Sequence, residues 1–179
     1  NFTVTVWVKA GVQTNGGVLE KSVGTLINTQ YLLFEEGNTW SWRIVTPASV
    51  FVTVVSSVIT TDAWYYLAGV KNSSGIFLYV NGALIASNTS SFARGATAGG
   101  VSNQEFRIGA LAQNNYPFNG TIDEGYVFNR SLSSQQILAL YQNRTDLIVA
   151  QETSGTAEVW SSCVTPNDGT TDGSTVCSE

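Results

Sequence analysis

Residues 118–141, FNGTIDEGYVFNRSLSSQQILALY, put a strand, a polar turn and a short helix in immediate succession, and this order constrains the fold more than any other stretch of the chain. Thr121, Asp123, Gly125 and Val127 alternate with Ile122, Glu124, Tyr126 and Phe128, a period of two that predicts a strand with these two sets on opposite faces. Ser133 and Gln136 stand in capping-box register, and Ile137, Leu140 and Tyr141 then recur at helical spacing, so a helix of about ten residues should follow. Its apolar stripe needs a surface to dock on. Elsewhere short β-branched and aromatic runs are separated by Gly, Ser, Thr and Asn, the pattern of an all-β sandwich.

Four further blocks, FTVTVWVK at residues 2–9, WYYLAG at 64–69, FLYVNG at 77–82 and FRIG at 106–109, precede that segment. Together, in this order, they resemble the laminin G-like branch of the concanavalin A-like lectin/glucanase jelly rolls over residues 2–141. The resemblance implies an all-β jelly-roll sandwich of two antiparallel sheets with one short helix, followed here by a C-terminal β-hairpin tail. The expected domains are a jelly roll over residues 1–145 and a tail over 146–179. For function the resemblance implies less, because one architecture hosts lectins, adhesion modules, glycosidases and spacers.

A chain of 179 residues is the size of one substantial domain. Charged residues make up 12% and hydrophobic ones 43%, which argues against disorder. The eight Lys and Arg are scattered against a net charge of -5, so no basic stripe suits nucleic acid. The longest apolar run, at residues 50–55, is interrupted by Thr53 and far short of the roughly 20 residues of a membrane span. The chain begins at Asn1 within one residue of a strand and contains no Met, and it reads as a piece of a longer precursor.

Six N-x-S/T sequons start at Asn1, Asn72, Asn88, Asn119, Asn129 and Asn143. With 14 Asn and 39 Ser plus Thr, chance gives about three. This excess and the two cysteines favour an extracellular or cell-surface glycoprotein, with a composition rich in Asn, Ser and Thr as the alternative source of sequons.

Beyond Tyr141, residues 146–150 (DLIVA) and 157–165 (AEVWSSCVT) read as strands, Pro166-Asn167-Asp168-Gly169 as a turn, and residues 174–178 as a returning strand. Cys163 and Cys177 flank that turn on opposite arms, within reach of a cross-strand disulfide. The tail resembles the closing strands of immunoglobulin-like domains in large prokaryotic surface proteins. The jelly-roll resemblance also implies a strand before the one at Phe2, and a sandwich lacking it has an open edge. Val159, Trp160 and Val164 are therefore candidates for an assembly strand that pairs with the next copy and builds a filament. Pairing within the same chain, which gives an ordinary monomer, or a recombinant fragment is the weightier reading at this point, and the sequence does not separate it from exchange between copies.

The chain has no histidine, which removes Ser-His and Cys-His dyads and His-based metal sites. Jelly-roll glucanases carry a Glu-x-Asp-x-x-Glu strand motif, and none of the thirteen acidic residues stands in that spacing. Glu35-Glu36 reads as solvated acids entering the Gly37-Asn38 turn. The expectation is a non-enzymatic structural or adhesive module that requires no cofactor. A carbohydrate-binding lectin module is the alternative, a glycoside hydrolase the third class, and the partners are copies of the chain or cell-surface glycans and proteins.

Candidate ligand-binding residues are Trp40, Trp42, Gln113, Asn114 and Tyr116, because aromatic faces and amides suit sugars. Trp40, Trp42 and Ile44 share one strand face and read first as core, since Trp fills the gap between two sheets well. Structural calcium at Asp123 is implied only by relatives of the fold, against an Asp satisfied by backbone donors. The Asp168-x-Thr170-x-Asp172-Gly173 run matches the register of a calcium loop but reads better as a turn.

Overall fold

The computed structural model describes residues 1–11, 15–22, 29–46, 50–90, 105–111, 116–144, 161, 163–166, 169–171 and 173–178. Two compact units separate, Asn1–Leu147 and Ile148–Glu179. Among the described residues of the first, ten strands run in order: β1 (Phe2–Ala10), β2 (Gly16–Ser22), β3 (Thr29–Glu36), β4 (Thr39–Val45), β5 (Phe51–Val58), β6 (Trp64–Asn72), β7 (Gly75–Val80), β8 (Ala83–Asn88), β9 (Glu105–Ile108) and β10 (Gly120–Phe128). Helix α1 (Ser134–Tyr141) follows. The strands form two antiparallel five-stranded sheets, β10-β1-β6-β7-β8 and β5-β4-β3-β2-β9. The fold is the all-β jelly-roll sandwich expected from the sequence.

Alternation builds the core. Val4, Val6 and Val8 of β1 face Leu19, Leu33, Trp40, Trp42 and Ile44 of the other sheet, all fully buried. Trp42 crosses the gap between sheets: its indole N–H donates to the Val70 carbonyl at 3.2 Å, and its ring lies against Gly69. A Cβ on Gly69 would stand 2.5 Å from that ring, so the close approach requires glycine.

The helix docks on the outward face of the first sheet. Ile137 and Leu132 pack with Tyr66, Ala68, Val70 and Tyr79, flanked by Trp7, Phe128 and Tyr141. The capping box forms as the sequence predicts, Gln136 N–H donating to Ser133 Oγ at 3.2 Å and Ser133 N–H to Gln136 Oε1 at 3.0 Å. The hydroxyl of Thr3 on β1 donates to the Arg130 carbonyl and accepts from Leu132 N–H, which ties the helix approach to the sheet.

Two local expectations change. The pairing of β10 with β1 shifts between Thr5↔Tyr126 and Trp7↔Asp123, and Glu124 takes a left-handed φ of 48°. This bulge reverses the phase of the strand. Ile122 and Val127 consequently face inward, opposite Val8 and Val4, while Tyr126 and Phe128 face outward with Thr121 and Asp123. The strict two-face alternation predicted for residues 121–128 does not survive. Glu35 is also no solvated acid: it faces inward opposite Trp40 and is buried, with Asn38 N–H donating to its carboxylate at 3.3 Å. Glu36, one residue on, is the exposed partner.

In the second unit, β11 (Cys163–Val164) and β12 (Val176–Cys177) pair with Cys163 directly opposite Cys177, and the two are joined in a disulfide. Val159, Trp160, Asp168 and Asp172 lie outside the described residues.

Candidate functional site

Three surfaces of the first unit combine exposed apolar and polar groups. The first is an open side of the sandwich. Residues directly opposite one another on antiparallel strands point to the same face. Ile108 on β9 pairs with Leu19, Phe106 pairs with Lys21 and through it lies in the row of Tyr31, and Val127 on β10 pairs with Val4. Leu19, Tyr31 and Val4 are core residues, so Ile108, Phe106 and Val127 all face the gap between the sheets. They are nevertheless 58%, 43% and 53% exposed. Among the described residues β9 pairs only with β2 and β10 only with β1. Inward-facing side chains on two edge strands thus line an uncovered slot. On the opposite side of the sandwich the edge strands β5 and β8 come into contact.

The second surface lies on the outward face of the β5-β4-β3-β2-β9 sheet. A groove of about 160 Å³ is lined by Asn15, Leu32, Phe34, Glu36, Arg43, Leu111 and Tyr116. The register Leu32↔Arg43 and Glu36↔Thr39 places Phe34, Glu36 and Arg43 on one face. Arg43 lies between two rings, its guanidinium carbon 4.6 Å from the centre of Phe34 and 5.1 Å from that of Phe51. Its Nε donates to Thr53 Oγ1 at 2.8 Å and its Nη2 to Glu36 Oε2 at 3.2 Å. Burial pulls the Arg43 pKa below its ordinary value, with the Glu36 charge opposing that shift. Tyr116 is exposed at the rim with a left-handed φ of 53°. Farther along the same face the fully buried Glu20 carboxylate accepts from Thr29 Oγ1 at 3.1 Å and lies 3.5 Å from Arg107.

The third surface, a groove of about 330 Å³, lies between β10 and α1 on the outward face of the first sheet. Tyr126 and Phe128 form one wall, Ala139 and Leu140 the other, with Glu124, Asn143 and Arg144 at its edges and Tyr66 beneath. Burial pushes the Tyr66 hydroxyl up to about 12, and the nearby Glu124 charge acts in the same direction.

These surfaces redistribute the residues singled out from sequence. Trp40 and Trp42 are fully buried between the sheets and present no face to a ligand, which corrects their candidacy as binding residues. Gln113 and Asn114 lie outside the described residues, while Tyr116 belongs to the second groove. Asp123 is exposed, and its Oδ1 accepts the Glu124 N–H at 2.8 Å. Among the described residues no three Asp, Glu, Cys or His side chains gather as a metal-binding group. Val164 is exposed on its hairpin. Of the sequons, Asn1, Asn119, Asn129 and Asn143 are exposed, whereas Asn72 and Asn88 are partly buried and their carboxamides hold the backbone N–H groups of Ser74 and Ser90. Arg43, Phe34 and Phe51 were missed. Their signal was the Gly37-Asn38 hairpin, whose register brings outward-facing alternate residues of β3 and β4 together.

A laminin G-type family profile, described as the concanavalin A-like lectin/glucanases superfamily, matches residues 1–138. The chain belongs to this superfamily. Among solved structures that this concanavalin A-like domain resembles, the Ruminococcus gnavus IT-sialidase CBM40 bound to α2,3 sialyllactose superposes with a TM-score of 0.64 at 18% identity, over 78% of this chain and 81% of that one. Domain 4 of AbnA, a GH43 extracellular arabinanase from Geobacillus stearothermophilus, in complex with arabinotriose, gives 0.61 at 22% identity, over 79% and 66%. The botulinum neurotoxin type G receptor binding domain gives 0.62 at 14%, over 80% and 38%. The concanavalin A-like domain thus spans just over a third of the neurotoxin binding domains it resembles. No curated protein matches the chain. At these identities the likeness concerns the fold.

Proposed function

We propose that this concanavalin A-like domain is a non-enzymatic structural and adhesive module of the cell surface or extracellular space, and that the segment around Val159, Trp160 and Val164 of one copy adds as a strand to the free edge of β10 in the next. The observation that carries this reading is the exposure of Phe106, Ile108 and Val127, which face the core of the sandwich without a cover. A strand laid along β10 would pair with backbone groups that have no strand partner among the described residues and place alternate side chains over this slot. The donor sequence 157–164, AEVWSSCV, supplies apolar residues for it. Donor and acceptor are different surfaces, so the contact is head-to-tail and propagates into a filament. The Cys163–Cys177 disulfide fits an oxidising compartment.

Negative-stain imaging and light scattering of the intact protein test this reading. Filaments that disappear in the full-length Trp160→Asp variant are the expected result. A uniform monomer of 19.2 kDa for the unaltered chain would overturn it.

A second reading, a glycan-binding module, is favoured by the groove of Phe34, Glu36, Arg43 and Tyr116, which joins an exposed ring to charge-assisted hydrogen-bonding groups. The sugar-bound relatives support it as well. A glycan array tests it: binding that is lost on Tyr116→Ala or Arg43→Ala is expected, and an array without a binder refutes it.

A further inference from the structure

Asn143 stands where α1 stops. It has a left-handed φ of 51°, its N–H donates to the Leu140 carbonyl at 3.1 Å, and the next N–H, of Arg144, donates to the Ala139 carbonyl at 2.9 Å. This pair of bonds is the Schellman closure, whose left-handed position usually takes glycine and sometimes asparagine. Asparagine here keeps a side-chain amide on a rigid backbone, and that residue lines the groove of about 330 Å³ between β10 and α1. It also begins the sequon Asn143-Arg144-Thr145. Unlike Asn72 and Asn88, whose carboxamides brace turns, Asn143 has no side-chain hydrogen bond among the described residues.

We infer that Asn143 carries an N-linked glycan and that the first sugars of this glycan lie in the groove. The volume is at the low end of the roughly 300–1,000 Å³ typical of small-ligand sites, a scale suited to the start of a glycan. Tyr126 and Phe128 adjoin with centroids 6.2 Å apart and, with Leu140, present apolar surface to the C–H faces of sugar rings. Glu124 accepts from sugar hydroxyls and Arg144 donates to them. An attached sugar needs no affinity from solution, since its tether holds it at high local concentration. The same tether excludes a free ligand from the site. Neither strand exchange nor glycan recognition in the second groove is required for this.

Glycopeptide mass spectrometry of protein purified from its source, combined with a two-by-two set of full-length variants made in that source, tests the proposal. Asn143 is expected to be modified. Thr145→Ala, which removes the sequon and keeps Asn143, should lower Tm by about 2–4 °C, and Thr145→Ser should restore it. In the Tyr126→Ala background Thr145→Ala should produce no further shift. Tyr126 is already half exposed, so its substitution leaves a folded protein. An unmodified Asn143 overturns the inference, as does a Tm loss of equal size in both backgrounds.

Discussion

Val127→Asp separates the stability of the subunit from its assembly. Full burial of a valine side chain is worth about 1.5–2 kcal/mol, and Val127 is 53% exposed, so the substitution should cost the isolated subunit about 1 kcal/mol. Once a strand covers the slot, the new carboxylate would be desolvated on a face that also carries Phe106, Ile108 and the cation Lys21. Even with Lys21 on that face, a cost of about 4 kcal/mol for desolvating the carboxylate would weaken each junction by about a thousandfold. Urea denaturation of the separated subunit measures the first quantity, and the critical concentration for pelletable filaments measures the second. The expected result is a variant that folds almost normally and stays monomeric at concentrations where the parent chain polymerises. An unchanged critical concentration would refute the reasoning, because the slot could not then be the acceptor.

Further expectations follow from the interior. Trp42→Ala should cost about 3–5 kcal/mol in urea denaturation, and Gly69→Ala should also destabilise although it adds only a methyl, because the new Cβ meets the Trp42 ring at 2.5 Å. Burial raises Tyr66 from 10 to about 12, so the unfolded chain loses this proton first. The associated stability is complete below pH 10 and falls as pH rises toward 12, and Tyr66→Phe should flatten that part of an alkaline stability profile. Arg107→Met leaves the buried Glu20 carboxylate without its cation and should cost about 3–5 kcal/mol, whereas Glu20→Leu combined with Arg107→Met should regain most of the loss in the same denaturation assay.

Local chemistry was the most legible part of this chain. The capping box at Ser133 and Gln136 and the turn at Gly37-Asn38 each follow from a few adjacent residues, and each forms. What depends on distant strands was not legible. The bulge at Glu124 arises where β10 must pair with β1, and no feature of residues 121–128 alone marks the change of phase. Glu35 reads as an acid beside a turn until pairing with Trp40 turns it inward. The tryptophan pair read first as core with a ligand as the alternative, and only the opposing sheet decides between them. Likewise Phe106, Ile108 and Val127 look like ordinary strand residues, because exposure of an inward side chain depends on which strand stands beside it.

The bulge in β10 also governs what this edge will accept. It divides the side of β10 turned away from β1, unpaired among the described residues, into two short ladders, Gly120–Asp123 and Gly125–Phe128, whose side chains are out of phase with each other. A straight strand can follow one ladder, but at the other it presents the wrong face to the slot. Generic extended peptides are therefore turned away after a few residues, while a sequence with a matching irregularity can run the whole length. Under the proposed assembly the edge would act less like an adhesive strip than like a lock with one ward, and the bulge leaves it poorly suited to amyloid-like stacking.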